Sequence, residues 1–191
     1  MPQPFKAYSV KKISILIKSS YALTYDSVKT LLDKKLVKAE KIGNALACRV
    51  NLSADSQLLA ISSLMLSKRF LDKASFGFVI ESIKRKLSKQ IYIMILFGSH
   101  AKGAATKKSD VDLLFVVQNE ADINKTKKII HSAVSETNIK VEFEVITAEW
   151  LIKMFEERYT VGREVMEGSI ILHGAEQYYT MVNDYDKKRG H

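Results

Sequence analysis

The chain has 191 residues, 47% of them hydrophobic, which is enough for one large core or two small ones. Its net charge of +9 is uneven, because ten basic and three acidic side chains give the first 52 residues a charge of +7. The single cysteine, Cys48, excludes an internal disulfide framework and favours a reducing compartment. Signal-peptide patterning is absent, and no apolar run approaches the roughly 20 residues of a membrane helix. We therefore expect a cytoplasmic protein with no membrane partner.

The basic first 52 residues are predicted to form two short helices and a β-hairpin. Ser9 is a candidate cap for a helix over residues 10–18, and Thr24 is a candidate cap for a helix over residues 25–34. A Gly-Asn pair, which is a hairpin signal, separates two predicted strands at residues 36–41 and 45–52.

This order of elements resembles a winged helix-turn-helix domain. The resemblance implies that residues 1–52 bind DNA. The second helix would direct Tyr25, Lys29 and Thr30 outward, and Lys41 and Arg49 on the wing would lie near phosphates. The alternative is a small basic packing or dimerising domain whose lysines are only solvated.

Residues 53–90 are predicted to be a helical connector. The helix expected over residues 55–73 is too apolar for an exposed linker, so it should pack against another part of the protein. It could join two domains or form a homodimer interface, and the sequence leaves both open. A second helix is expected over residues 79–89, with apolar side chains at helical spacing.

The most informative stretch begins at residue 91. Seven consecutive apolar residues, 91–97, predict a strand buried on both faces, and Gly98-Ser99 then ends that strand. A second apolar run opens with Asp110 and Asp112, which the two-residue period of a strand places on one face. Two carboxylates on one face suit a pair of Mg²⁺ ions.

Gly98-Ser99, ten intervening residues and Asp110-Val111-Asp112 between two apolar strands resemble the signature of the DNA polymerase β-like nucleotidyltransferases, and most closely the minimal nucleotidyltransferases. The resemblance implies an enzyme that transfers a nucleoside monophosphate from a nucleoside triphosphate to a hydroxyl acceptor. For the C-terminal part it implies a mixed sheet flanked by helices. With the winged helix-like domain and the helical connector, the expected fold class is α+β.

The resemblance further implies the roles of individual residues. Asp110 and Asp112 would bind two Mg²⁺ ions, and a third carboxylate on a later strand would complete the site. The strand predicted over residues 140–147 carries two acids on one face, Glu142 and Glu144. We prefer Glu142, because the family's acid comes early in the strand, and Glu144 stays open.

The nucleotide would be bound by residues around the Gly-Ser turn. Gly98 and Ser99 would contact the β- and γ-phosphates, and Ser109 is a further candidate contact. Lys102 stands where the minimal enzymes usually have arginine. It would keep the positive charge but lose the planar two-donor geometry of a guanidinium.

The rest of the chain completes the predicted domain at residues 91–183. A helix is expected over residues 123–137, and a closing helix over residues 175–182. Residues 184–191 are expected to be a mobile tail. Two other functions remain open: a DNA-binding regulator whose transferase-like domain only senses nucleotide, and an antitoxin-like interaction module with a helical partner protein.

Overall fold

A computed structural model describes residues 6–157 and 160–188 of the protein. The first elements are β1 (Tyr8–Ser9), α1 (Val10–Leu16), α2 (Tyr21–Asp33), β2 (Val37–Ile42), β3 (Ala45–Val50) and α3 (Ser56–Leu71). The later elements are α4 (Gly77–Lys86), β4 (Tyr92–Leu96), α5 (Gly98–Lys102), β5 (Val111–Val117), α6 (Glu120–Val134), β6 (Val141–Thr147), α7 (Ala148–Glu157), α8 (Thr160–Glu167), β7 (Ile170–His173) and α9 (Ala175–Lys188). Together they form a mixed α+β fold.

Two separate sheets organise these elements. The first has the strand order β1-β3-β2 and is antiparallel. The second has the order β6-β5-β4-β7, with β5 and β6 parallel and the other neighbours antiparallel. The predicted hairpin is confirmed as β2 and β3, whereas the winged helix-turn-helix interpretation stays a prediction.

The predicted cap of the first helix is confirmed, and the predicted cap of the second helix is not. Ser9 caps α1 as expected, since its Oγ accepts a hydrogen bond from the Lys12 amide at 3.2 Å. The prediction of Thr24 as the second cap is wrong. Ser20 is the cap, with its Oγ accepting from the Leu23 amide at 3.3 Å. Thr24 lies inside α2, where it is buried and donates its hydroxyl hydrogen to the Ser20 carbonyl oxygen.

The larger sheet is buried on both faces. On one face, Ile80 of α4 and Ile130 of α6 belong to the same buried cluster as Leu113. On the other face, Leu151 of α7 and Tyr178 of α9 belong to the cluster that contains Leu114. β4 is buried at each of its five positions, as its continuous apolar sequence predicts.

α3 is the helix that was expected to pack against another part of the protein. It does so against α9 and β7, and it buries Leu59 and Ser63 on that side. The opposite side exposes Leu58, Ile61 and Met65 to solvent. The expectation therefore holds for one face of this helix.

Other helix boundaries also differ from the sequence prediction. α4 begins at Gly77, before the predicted start at residue 79, and α6 begins at Glu120, before residue 123. Glu120 and Asp122 in the first turn of α6 favour this earlier start, because acidic side chains stabilise a helix N-terminus. α9 continues through Lys188, into the predicted tail, because Tyr185 is buried in the core. Residues 189–191 of that tail lie outside the described residues.

In the described part of the chain, none of the helices combines the length and the apolar character that crossing a membrane requires.

Candidate active site

The parallel pairing of β5 and β6 brings the predicted carboxylates together. The register places Asp112 opposite Glu142, and the Val111 amide donates to the Lys140 carbonyl oxygen at 3.0 Å. Asp110 and Lys140 come two residues before Asp112 and Glu142. Because side chains alternate along a strand, all four lie on the same face of the sheet. We call Asp110, Asp112 and Glu142 the carboxylate cluster.

The turn after β4 lies directly against this cluster. β4 is antiparallel to β5, and the Phe97 amide donates to the Asp112 carbonyl oxygen at 3.1 Å. Gly98 follows with a φ of +68°, a conformation that favours glycine. A Cβ atom at this position would overlap Asp112 Oδ2 and lie 2.9 Å from its Cγ. Only glycine therefore allows the turn to approach the Asp112 carboxylate this closely.

The other predicted nucleotide contacts are spread along the turn and the loop that follows it. Ser99 is the half-buried second residue of α5, and Lys102 is exposed at its end. The Ser109 hydroxyl accepts a hydrogen bond from the Thr106 amide at 2.9 Å and lies 3.2 Å from the Thr106 hydroxyl. The Ser109 side chain is thus bonded within its own loop.

Glu142 and Glu144 occupy different positions relative to the aspartates. Glu142 is opposite Asp112, whereas Glu144 is opposite Leu114, two residues further along the same face of β6. Glu144 Oε2 lies 3.8 Å from the Lys127 ammonium on α6.

Lys140 is the nearest positive charge to the carboxylate cluster that the described residues show. Its ammonium lies 2.5 Å from Asp110 Oδ2 and 3.3 Å from Glu142 Oε1. The hydrogen bond to Asp110, followed by the one to Glu142, raises the pKa of Lys140. The ammonium therefore bridges two members of the cluster.

Within the described residues, no ammonium bridges to Asp112 in this way, and its environment is unfavourable for a negative charge. Burial is the main cause that raises its pKa, and Glu142, Glu164 and Asp110 raise it further, while His100 acts in the opposite direction. A cation bound beside Asp112 would relieve this repulsion.

The carboxylate cluster fits a divalent metal in its chemistry, because Mg²⁺ prefers carboxylate oxygens. Within residues 6–157 and 160–188, however, no three His, Cys, Asp or Glu side chains are already arranged around a metal position. We attribute this to Lys140, which lies between Asp110 and Glu142, and to the Asp112 carboxylate, which contacts Gly98. Small side-chain rotations would be needed before the three acids could share an ion.

Two charged residues near the cluster were missed by the sequence analysis. Lys140 was treated only as the start of a strand, although its two-residue spacing from Glu142 already placed both on one face. Glu164 lies on α8 and has no local sequence pattern that connects it with the aspartates.

The predicted nucleic-acid contacts lie in the N-terminal part of the protein. Tyr25, Lys29 and Thr30 are exposed along α2. Lys41 on β2 is exposed and Arg49 on β3 is half-buried. The structure therefore brings three of these residues together on one helix and places the other two on the hairpin.

Comparisons with known proteins support the family resemblance. Residues 79–170 match the family model of the nucleotidyltransferase domain, and this range includes the Gly-Ser turn and the whole carboxylate cluster. The match supports a nucleotidyltransferase domain in this range and does not extend to the first 78 residues. No curated protein matches the chain.

Two solved structures show weak likeness. A candidate nucleotidyltransferase from Sulfolobus solfataricus is 20% identical, with 62% of this chain and 86% of that chain covered and a TM-score of 0.34. A toxin–antitoxin structure with AMP-PNP is 13% identical, with 58% of this chain and 87% of that chain covered and a TM-score of 0.35. At these TM-scores neither likeness bears on the function.

Proposed function

We propose that this protein is a metal-dependent nucleotidyltransferase that moves a nucleoside monophosphate from a nucleoside triphosphate to a hydroxyl acceptor. One observation carries the proposal: within the segment that matches the nucleotidyltransferase domain, the Asp112 carboxylate lies against Gly98 and opposite Glu142. Acids that could gather dications are therefore next to the Gly-Ser turn.

The reaction requires an acceptor oxygen to attack the α-phosphorus while the bond to the β-phosphate oxygen breaks and pyrophosphate leaves. Asp110, Asp112 and Glu142 would hold two Mg²⁺ ions. Bound there, the ions would neutralise phosphate charge and lower the pKa of the attacking hydroxyl. Glu142 would bind the ion on the acceptor side or accept the hydroxyl proton itself.

The Gly-Ser turn would bind the outer phosphates. The Gly98 backbone lies against the Asp112 carboxylate, so phosphates bound by the turn would be close to a metal ion on Asp112. The Ser99 hydroxyl can donate to these phosphates. Lys102, at the end of α5, would add positive charge. Ser109, whose hydroxyl is bonded to Thr106, would act by holding the loop before Asp110 in place.

The proposal predicts which phosphate of the nucleoside triphosphate is transferred to the acceptor. We expect the protein, incubated with Mg²⁺ and cell extract, to attach label to an acceptor when the triphosphate is labelled at the α-phosphate. The added protein should not increase γ-label on the acceptor above the level in extract alone, because the α–β bond breaks and the γ-phosphate leaves in pyrophosphate. EDTA should abolish transfer of the α-label. An increase of γ-label on the acceptor that depends on the protein would contradict the proposal, as would α-label transfer that EDTA leaves unchanged.

DNA binding by the first 52 residues is a second candidate function. The observation that favours it is the coincidence of the +7 charge with the exposed side chains of Tyr25, Lys29 and Thr30 on one helix. A strongly basic segment is the electrostatic footprint of a nucleic-acid site. In this candidate, the transferase domain could act as an enzyme or only sense nucleotide.

Salt dependence tests this second candidate. In a mobility-shift titration with duplex DNA, the double variant Lys29→Ala/Lys41→Ala should lower the slope of log affinity against log salt by about 2, since each lost phosphate contact removes about 0.9. The matched control is Lys125→Ala/Lys128→Ala, which removes two exposed lysines from α6. An equal slope for the two double variants would exclude residues 1–52 as the DNA site.

A further inference from the structure

Lys140 occupies the place in the carboxylate cluster where a cation would bind. We infer that Lys140 is an internal counter-ion, which a divalent metal ion must displace from Asp110 and Glu142 and which thereby sets the metal affinity of the site. This inference rests on the proposed function, because it takes the cluster to be a metal site.

The backbone and the side chain of Lys140 are held differently. The Lys140 carbonyl oxygen accepts from the Val111 amide, so the backbone is fixed by the β5–β6 pairing. The side chain is 70% exposed, and its ammonium is held by Asp110 Oδ2 at 2.5 Å and Glu142 Oε1 at 3.3 Å. Because a lysine side chain is long and flexible, the ammonium can leave these oxygens for water without any change in the sheet.

The charges around Lys140 explain why a cation is needed there. Asp112 and Glu142 are directly opposite on neighbouring strands, and like charges in this arrangement destabilise a sheet. Asp110 adds a third negative charge on the same face. One ammonium leaves the cluster with an excess of negative charge, whereas a dication compensates more of it.

The ammonium and a metal ion would compete for the same atoms. Asp110 Oδ2 and Glu142 Oε1 both accept hydrogen bonds from the Lys140 ammonium. While the Lys140 ammonium contacts both of these oxygens, Mg²⁺ cannot bind to them in the same position. Metal binding therefore includes the cost of breaking the Lys140 contacts.

A second lysine provides a matched control. Lys127 is also close to one acid of β6, since its ammonium lies 3.8 Å from Glu144 Oε2. Glu144 is opposite Leu114, two residues beyond Asp112, so the Lys127–Glu144 ion pair lies outside the carboxylate cluster. Removing Lys127 deletes the same charge beside an acid of β6 without freeing an oxygen of the carboxylate cluster.

The experiment measures Mn²⁺ binding by the nucleotide-free full chain, from the electron paramagnetic resonance signal of unbound Mn²⁺. Lys140→Met should bind Mn²⁺ about threefold to tenfold more tightly than the wild type, because an exposed ion pair and one repelling charge are removed. Lys127→Met should change the affinity by less than about twofold. Lys140→Arg, which keeps the charge, should bind no more tightly than the wild type. The gain for Lys140→Met should shrink as salt is added, since exposed charges are screened.

The possible outcomes separate this inference from the proposed function. If Lys140→Met binds Mn²⁺ no more tightly than the wild type while Asp110→Asn/Asp112→Asn binds it more weakly, the metal site stands and the role of Lys140 is excluded. If the wild type, Lys140→Met and the double variant all fail to bind Mn²⁺, the metal site of the proposed function fails as well. Lys140→Gln provides the same test should Lys140→Met not fold, as judged by circular dichroism.

Discussion

Asp112→Asn is expected to abolish nucleotide transfer while making the metal-free protein more stable. The variant keeps the shape of the side chain but loses the charge that would bind the metal. A metal ion stabilises the transition state of phosphoryl transfer by several kcal/mol, so the rate should fall by about 10³-fold or more. The measurement is the rate of α-label transfer at saturating Mg²⁺.

The stability of the same variant depends on pH in a way that follows from the raised pKa of Asp112. The folded protein disfavours the ionised carboxylate, because it is partly buried and faces Glu142, Glu164 and Asp110. Near neutral pH this cost is fully present, and it disappears as the pH falls through the raised pKa in the folded state. In EDTA, the gain in unfolding free energy for Asp112→Asn over the wild type should therefore be largest near neutral pH and vanish in acid. A variant less stable than the wild type at neutral pH would contradict this account of the site.

Charge removal elsewhere on the same face controls for a general electrostatic effect. Glu144→Gln removes a negative charge one step further along β6, opposite Leu114, and should leave transfer nearly unchanged. Glu142→Gln should reduce transfer strongly, because Glu142 is opposite Asp112. The reverse order of these two variants would identify Glu144 as the third acid.

Gly98→Ala is expected to have the second largest effect. The added Cβ would overlap Asp112 Oδ2 and lie 2.9 Å from its Cγ, so the turn or the carboxylate must move. A displacement of about 1 Å at a reacting centre typically costs about 10²-fold in rate. In addition, an alanine at a φ of +68° should cost about 1–2 kcal/mol of stability. Transfer rates and urea unfolding measure the two effects.

Gly103→Ala separates backbone strain from the contact with Asp112. Gly103 has a φ of +70°, nearly the same as Gly98, but a Cβ there would meet no atom within 4 Å. The control variant should lose a similar amount of stability and keep most of its transfer activity. Equal losses of activity in the two variants would show that the approach of Gly98 to Asp112 has no role in the reaction.

Local features of this protein could be predicted from the sequence because their causes are local. The continuous apolar run of β4 predicts a buried strand, and the strand period places Asp110 and Asp112 on one face. The Gly-Asn pair predicts the β2–β3 hairpin. Gly98 was expected to contact the outer phosphates, and the neighbour that the structure shows is Asp112.

Features that depend on distant parts of the chain could not be predicted in this way. The bridge from Lys140 to Asp110 requires the parallel register of β5 and β6, which the alternation within one strand does not specify. Glu164 reaches the site only through the packing of α8. The second helix begins at Tyr21, after the Ser20 cap, and not near Thr24, because the buried side of the helix includes Thr24 itself.

The most direct test of the proposed site is a crystal structure with Mn²⁺ and a non-hydrolysable nucleoside triphosphate analogue. Anomalous scattering would locate the metal without ambiguity. We predict Mn²⁺ within coordination distance of Asp110 and Asp112, the β- and γ-phosphates beside Gly98 and Ser99, and the Lys140 ammonium no longer between Asp110 and Glu142. Metal and triphosphate bound together at another surface, with the Lys140 contacts intact, would contradict the account.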